Sequence, residues 1–243
     1  MFIIEFYNYL RTPVPNLDID QNLSLKQRIS GIVNCYLTYL LLALCCFLII
    51  KVIDIAIIKF FYNYSILSQF EINRQKLLSQ FGIYTIIIIP FIGPLIEEIL
   101  FRLPLNLRKT GIGLSLAVIT YRITGEHFFQ FDPSEALSYM RILIALFAFF
   151  FALLFTPMSL LEKIKKNHFK YFFYFSAISF ALVHISNFTP YNPVVFLFYP
   201  LYTLPQFFMG LLLGYLRVRQ GFFSGWTVHV LINLPSALLY YFK

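Results

Sequence analysis

The sequence predicts an all-α protein, a polytopic bundle of seven to eight transmembrane helices. Three observations carry this reading. Of the 243 residues, 59% are hydrophobic and only 12% charged, where a soluble globular domain carries about 25% charged residues. Apolar runs close to the length of a membrane crossing, about 20 residues, recur to the C-terminus. Lys and Arg, which leave a net charge of +8, gather at the ends of these runs, where they meet phospholipid headgroups. Membrane lipid is therefore an expected partner. The same charge on a soluble domain would suggest nucleic acid, but its placement here argues against it.

Residues 1–28 read as an N-terminal interfacial segment. Met1 to Leu10 is apolar and aromatic, but short and interrupted by Glu5 and Asn8. Residues 29–243 read as one membrane domain. Its first span is 29–50, with an interfacial extension through Lys51, Asp54 and Lys59. The stretch 63–80 is polar enough to lie outside the hydrocarbon. Further spans follow at 81–105, 111–123 (short), 139–161, 171–188, 194–218 and 222–242. The run 194–218 contains Pro200 and Pro205, so it is one kinked helix or two pieces. Cys35, Cys45 and Cys46 all lie in the first run, without metal-ligand or disulfide spacing, and read as small apolar residues facing lipid. No internal repeat or low-complexity segment stands out.

Orientation follows from Lys and Arg in short loops. Lys163, Lys165, Lys166 and Lys170 form one basic loop, Arg217 and Arg219 a second, Arg108 and Lys109 a third. The loop 124–138 is acidic, with Glu126, Asp132 and Glu135. Seven spans put the N-terminus and the basic loops in the cytoplasm. Lys51, Lys59, Arg74 and Lys76 fall on the wrong side of this scheme.

Ionisable residues inside a spanning helix are costly, and by default they mark function. Glu97, Glu98 and Arg102 stand in one apolar run. Glu98 and Arg102 are four apart and share a face, whereas Glu97 is rotated about 100° away and left over. Pro90, Gly93 and Pro94 just upstream suggest a break and restart of the helix, placing Glu97 near a positive helix end. The plain structural reading, a Glu–Arg pair joining two helices, leaves Glu97 unexplained. A second group is Phe180 and His184, with Asn187 beyond. A third is His229 and Asn233, again four apart. Taken singly, these last two are as easily read as interhelical hydrogen bonds.

Depth joins the three. At about 1.5 Å per residue, Glu97 lies about 16 Å from Arg108, His184 about 21 Å from Lys170 and His229 about 15 Å from Arg219. All three groups thus sit near the middle of a hydrocarbon core about 30 Å thick. One carboxylate and two imidazoles at one level suit the activation of water: Glu97 takes its proton with His184 beside it, and His229 and Asn233 donate to an oxyanion. Alternatively, Glu97, His184 and His229 hold a zinc ion with an open fourth position. Spacing alone leaves both mechanisms open.

At these residues the chain resembles the CPBP family of intramembrane peptidases, which includes the CAAX prenyl endopeptidases and the Abi proteins. Glu97, Glu98 and Arg102 match Glu-Glu-x-x-x-Arg. Phe180 and His184 match Phe-x-x-x-His, and His229 with Asn233 matches the third motif. Gln206 to Gly210, Gly214-Tyr215, Gly221 and Trp226 also look like the family. The resemblance covers about residue 81 to the C-terminus. It implies a bundle of roughly eight helices with a cavity open to the cytoplasm. It further implies hydrolysis of peptide bonds in membrane-associated peptide or protein substrates, by a metalloprotease or a metal-independent glutamate mechanism. Glu97, His184, His229 and Asn233 would be catalytic, with Glu98, Arg102 and Phe180 supporting. One departure is an apparent two-helix insertion, 111–161, between the first and second motifs. The richness in Ile, Phe, Tyr, Asn and Lys suggests an AT-rich genome and a bacterial inner membrane. Two other readings compete: a non-catalytic immunity or scaffolding protein of this fold, and an ion or proton transporter, against which the absence of repeat symmetry counts. The peptidase reading predicts that Glu97, His184 and His229 line one cavity. A structure with any two of them on opposite sides of the bundle would contradict it.

Overall fold

A computed structural model describes residues 2–15, 23–125 and 132–241. Residues 16–22 of the N-terminal segment, Glu126 of the acidic loop and Phe242 at the end of the last span lie outside the described residues. Within them the chain folds into helices and connecting loops, with no strand.

Helix α1, Phe2–Arg11, lays Phe2, Phe6 and Tyr9 on one face, at helical spacing. All three rings pack on Tyr215, with centroids 5.7, 5.4 and 5.0 Å away. Helix α2, Leu25–Tyr62, runs for 38 residues. It opens with a capping box: the Ser24 hydroxyl accepts from Gln27 N–H at 3.3 Å, and the Gln27 side chain accepts from Ser24 N–H at 2.9 Å. At about 57 Å it exceeds the hydrocarbon core, so Lys51 and Lys59 extend past the span that starts it. Cys35 and Cys46 are buried in helix packing rather than turned to lipid, and only Cys45 is exposed.

Asp54, buried near the far end of α2, organises the next turn. Its carboxylate accepts from the Ser65 hydroxyl at 2.6 Å, from Ile66 N–H at 2.9 Å, from Leu67 N–H at 3.3 Å and from the Tyr202 hydroxyl at 2.7 Å. These backbone donors are the first free N–H groups of α3, Ile66–Phe81, so a remote side chain caps this helix and favours its positive end. Helix α4 follows as Gly82–Asn106. Then α5, Lys109–Ile123, and α6, Ala136–Phe155, form an antiparallel hairpin. Gly113 permits their close approach, since an added Cβ would lie 2.9 Å from the Phe149 ring. The two helices expected between the first and second motifs are this hairpin.

The remaining helices are α7, Met158–Phe188, α8, Pro193–Gln220, and α9, Phe222–Tyr241. The expected span 139–161 ends earlier, at Phe155, because Pro157 stops α6 and opens α7. The run 194–218 is one segment whose first part, Pro193–Phe198, is a tighter 3-10 turn. Six described helices, α2, α4, α6, α7, α8 and α9, have the length and apolar composition to cross a membrane. The seventh expected span is α5, at 15 residues shorter than a full crossing. The chain is an integral, multi-pass membrane protein. Helix α8 is its centre: Met209 to Val218 are all buried, against α2, α7 and α9.

The bundle has two distinct ends. At one, Glu5 approaches Arg219 at 3.7 Å, Arg28 donates to the Gln220 carbonyl at 3.2 Å and Lys109 to the Leu153 carbonyl at 3.1 Å. At the other, Asn73 of α3 donates to the carbonyls of Asn187 and Thr189 at 2.8 and 2.6 Å, and Arg74 to the Ser236 hydroxyl at 3.2 Å.

Replacing Asp54 with Ala removes four hydrogen bonds to a buried carboxylate. Thermal unfolding in detergent should show a loss of about 2–4 kcal/mol, since hydrogen bonds to charged groups contribute about 1.5–3 kcal/mol each and α3 can recover part from solvent. An unchanged melting temperature would show that α3 is held by its other contacts.

Candidate active site

Helix α4 is not an ordinary α-helix. Pro90, Pro94 and Pro104 cannot donate backbone hydrogen bonds, and the helix absorbs them by widening into π turns at Ile88–Ile92 and Glu98–Arg102. Such turns are frequent at functional sites. The expected break and restart does not occur. Glu97 ends the five-residue α stretch Gly93–Glu97 inside a continuous helix, so no helix N-terminus favours its charge.

Neighbouring helices bond the carbonyls of this segment. Pro104 has no N–H to offer the Leu100 carbonyl four residues back, and the Ser115 hydroxyl of α5 donates there at 2.7 Å. The Ser176 hydroxyl of α7 donates to the Phe101 carbonyl. Arg217 of α8 donates to the Arg102 carbonyl at 3.4 Å, and Trp226 of α9 to the Phe91 carbonyl at 3.2 Å. Three successive carbonyls are thus held by three different helices. The acidic turn is fixed in place by side chains that motif spacing did not single out.

On this turn the two adjacent carboxylates separate completely. Glu98 and Arg102 are fully buried. They meet as expected, but at 3.7 Å. The closer partner of Glu98 is His229, whose Nδ1 lies 3.0 Å from Oε1. The guanidinium of Arg102 instead stacks on Phe180, with its carbon 3.6 Å from the ring centroid, a strong cation–π geometry. Phe180, itself buried, also meets His184 and His229 edge-on, at centroid distances of 4.7 and 5.9 Å. It is the wedge against which all three side chains are set.

Glu97 points the other way, with 30% of its side chain exposed. His184 Nε2 stands 3.8 Å from Glu97 Oε1, and His229 Nε2 stands 3.3 Å from Oε2. Each ring is oriented from behind: His184 Nδ1 lies 2.7 Å from the Phe180 carbonyl, and His229 Nδ1 faces Glu98. A proton on each Nδ1 leaves both Nε2 atoms turned to the Glu97 carboxylate. The three motifs therefore converge, as their depths predicted.

Glu97, His184, His229 and Asn233 line one cavity of about 380 Å³. Its other polar walls include Asn73, Arg74 and Ser236, which sequence reasoning missed. Arg74 is held by Glu71 through two contacts of 2.9 Å. The cavity extends from Glu97 toward α3 and the exposed Ser186 and Thr189, the end of the bundle away from the basic loops. An opening to the cytoplasm and basic loops in the cytoplasm therefore cannot both hold.

Residues 79–235 match the family model described as type II CAAX prenyl endopeptidase Rce1-like. The chain belongs to this family. No match was found among curated proteins or among solved structures. The matched region runs from the end of α3 into α9 and so contains all three motifs. As a member of the Rce1-like family, the chain is an intramembrane protease of the CAAX type.

A zinc centre is a poor fit to these side chains. The two imidazoles stand nearest different oxygens of Glu97, at 3.8 and 3.3 Å. Among the described residues, no group of three or more His, Cys, Asp or Glu is arranged to hold a metal ion.

Arg102→Ala would leave Glu98 buried without its nearest cation. Breaking a buried pair costs about 3–5 kcal/mol, and the protein should melt correspondingly earlier in detergent. Arg102→Lys should recover only part of this, because a compact ammonium cannot stack a planar face on Phe180. A normal melting curve with selective loss of activity would instead place Arg102 in the chemistry.

Proposed function

We propose that the chain hydrolyses peptide bonds in membrane-associated peptide or protein substrates, with Glu97 as general base. The observation that carries this reading is the pair of oriented imidazoles facing Glu97, the partly exposed member of the two adjacent carboxylates, while Glu98 pairs with Arg102. Glu97 Oε1 and His184 Nε2, at 3.8 Å, are too far apart for a direct hydrogen bond and suitably spaced for one water to touch both. Glu97 takes a proton from that water as its oxygen adds to the carbonyl carbon of the scissile bond. The carbonyl oxygen becomes an oxyanion, to which Asn233 donates a hydrogen bond, joined by His229, one helical turn away, when its ring carries a proton on both nitrogens, Nδ1–H to Glu98 and Nε2–H to the oxyanion. The proton on Glu97 then passes to the leaving nitrogen as the C–N bond breaks. Glu98, Arg102 and Phe180 hold the rings in place. The membrane is that of a bacterial cell, with the N-terminus in the cytoplasm.

A non-catalytic immunity or scaffolding role would not require two imidazoles aimed at one carboxylate. A proton-conducting role would require a polar path through both ends of the bundle. Here the fully buried Glu98 and Arg102 stand behind the site on one side.

Glu97→Gln preserves shape, so the protein should fold normally while peptide hydrolysis falls by about 10²–10⁴. His184→Ala should cause a loss of similar order, and the double variant little more than either alone, because both groups serve one water. Purified wild-type protein should keep its activity in a strong chelator. Cleavage at the wild-type rate by Glu97→Gln would remove Glu97 from the mechanism, and abolition by the chelator would return the metal reading.

A further inference from the structure

A polypeptide entering a cavity at membrane depth brings main-chain N–H and C=O groups that lose water, and each needs a partner there. Several polar side chains of the cavity wall are already committed. Asn73 donates to the carbonyls of Asn187 and Thr189, Arg74 binds Glu71 and the Ser236 hydroxyl, and the Ser186 hydroxyl donates to the Val183 carbonyl. Gln206 is different. It lines the same cavity as Glu97, His184 and His229, and its Oε1 is buried without a hydrogen-bond partner. Among the described residues that line the cavity, only His229 shares this condition, through the Nε2 that faces Glu97. A buried polar atom left unpaired costs stability, so its presence calls for a reason. No step of the hydrolysis uses Gln206.

Helix packing sets Gln206 beside the reacting groups. Gln206 and Gly210 are one turn apart on α8 and share a face. Gly210 lies so close to Ala177 of α7 that an added Cβ would stand 3.1 Å from the Ala177 Cα. Joined by the short connection 189–192, α7 and α8 pack antiparallel. From the Gly210–Ala177 contact, Gln206 lies about 6 Å toward that connection and His184 about 10 Å in the same direction. The two are thus separated in level by less than one helical turn. Pro205 stands in the first turn of the regular helix Leu204–Gln220, a position that suits proline, so Gln206 is carried on a rigid element. A primary amide offers an acceptor and two donors. With Oε1 unbonded, that of Gln206 is free to turn about its last torsion and match the N–H and C=O of a peptide group.

We infer that Gln206 is a substrate-binding residue: its side-chain amide hydrogen-bonds the main chain of the bound polypeptide at a peptide group next to the scissile bond, whatever the side chains there, and holds that bond in front of Glu97. This rests on the proposed site around Glu97, but binding is measured without hydrolysis. In the full-length Glu97→Gln protein in detergent, affinity for a fluorescently labelled peptide with a confirmed cleavage sequence should fall about two- to tenfold when Gln206→Met is added, the range of one hydrogen bond between neutral groups. With Glu97 intact, Gln206→Met should raise KM by the same factor and leave kcat nearly unchanged. Its melting temperature should hold or rise, because Met fills the space without a buried polar atom. Replacing the two peptide groups that flank the scissile bond by esters, one at a time, removes one N–H each. One ester should weaken binding by the same factor and have no further effect once Gln206→Met is present. Equal affinity with and without Gln206→Met overturns the inference, as does an ester penalty that is absent or that persists in full in the Gln206→Met protein. A Gln206→Met protein that melts earlier or does not fold makes Gln206 structural, and also overturns it. Cleavage of the peptide by the Glu97→Gln protein marks instead the failure of Glu97 as base, and KM with and without the esters then judges Gln206 alone.

Discussion

The buried carboxylate of Glu98 is the constraint on which the rest of the site depends. Removing a charge from water is costly unless it is paired and hydrogen-bonded, and in a membrane bundle no solvent relieves it. Glu98 meets this requirement with two partners from different helices, Arg102 on its own turn and His229 on α9. Each partner does something further. Arg102 presses its face on Phe180, and so sets the ring that carries His184 one turn later. His229, held through Nδ1, presents Nε2 to Glu97. One structural charge thus orients both imidazoles toward the second carboxylate, and two chemically identical neighbours acquire opposite duties.

This arrangement needs a backbone that cannot slide. Prolines deprive α4 of its own donors, and the structure fills the gap with hydroxyl, guanidinium and indole donors from α5, α7, α8 and α9. The α5–α6 hairpin, which stands between the first two motifs in the chain, therefore contributes directly through Ser115. It does not lie between α4 and α7, whose contact through Ser176 and Phe101 remains direct.

Much of the fold and the centre of the site were legible in the sequence, because membrane crossings and intramembrane charges are strong local signals. Spans, motif residues and their common depth all follow from residue type and helical rise. What escaped was tertiary. Spacing predicted the Glu98–Arg102 pair, which forms at 3.7 Å, but not the stacking of the guanidinium on Phe180 or the closer contact of Glu98 with His229. The prolines suggested a broken helix, whereas donors more than ten residues away keep it continuous. Asn73 and Arg74 lay in a stretch that read only as polar and extramembrane. Their place at the cavity follows from contacts with residues 114 and 162 positions away, which no local pattern reveals. The same helix decides where the cavity opens.

In the proposed mechanism Glu97 acts on water and does not itself attack the substrate. Hydrolysis of a confirmed peptide substrate in ¹⁸O-labelled water, limited to a single turnover, tests it most directly by mass spectrometry of both product and enzyme. One ¹⁸O atom is expected in the new carboxylate of the product and none in the peptide containing Glu97. Label in the Glu97 side chain after one turnover, the mark of an acyl-enzyme anhydride opened at the carboxylate, would contradict it.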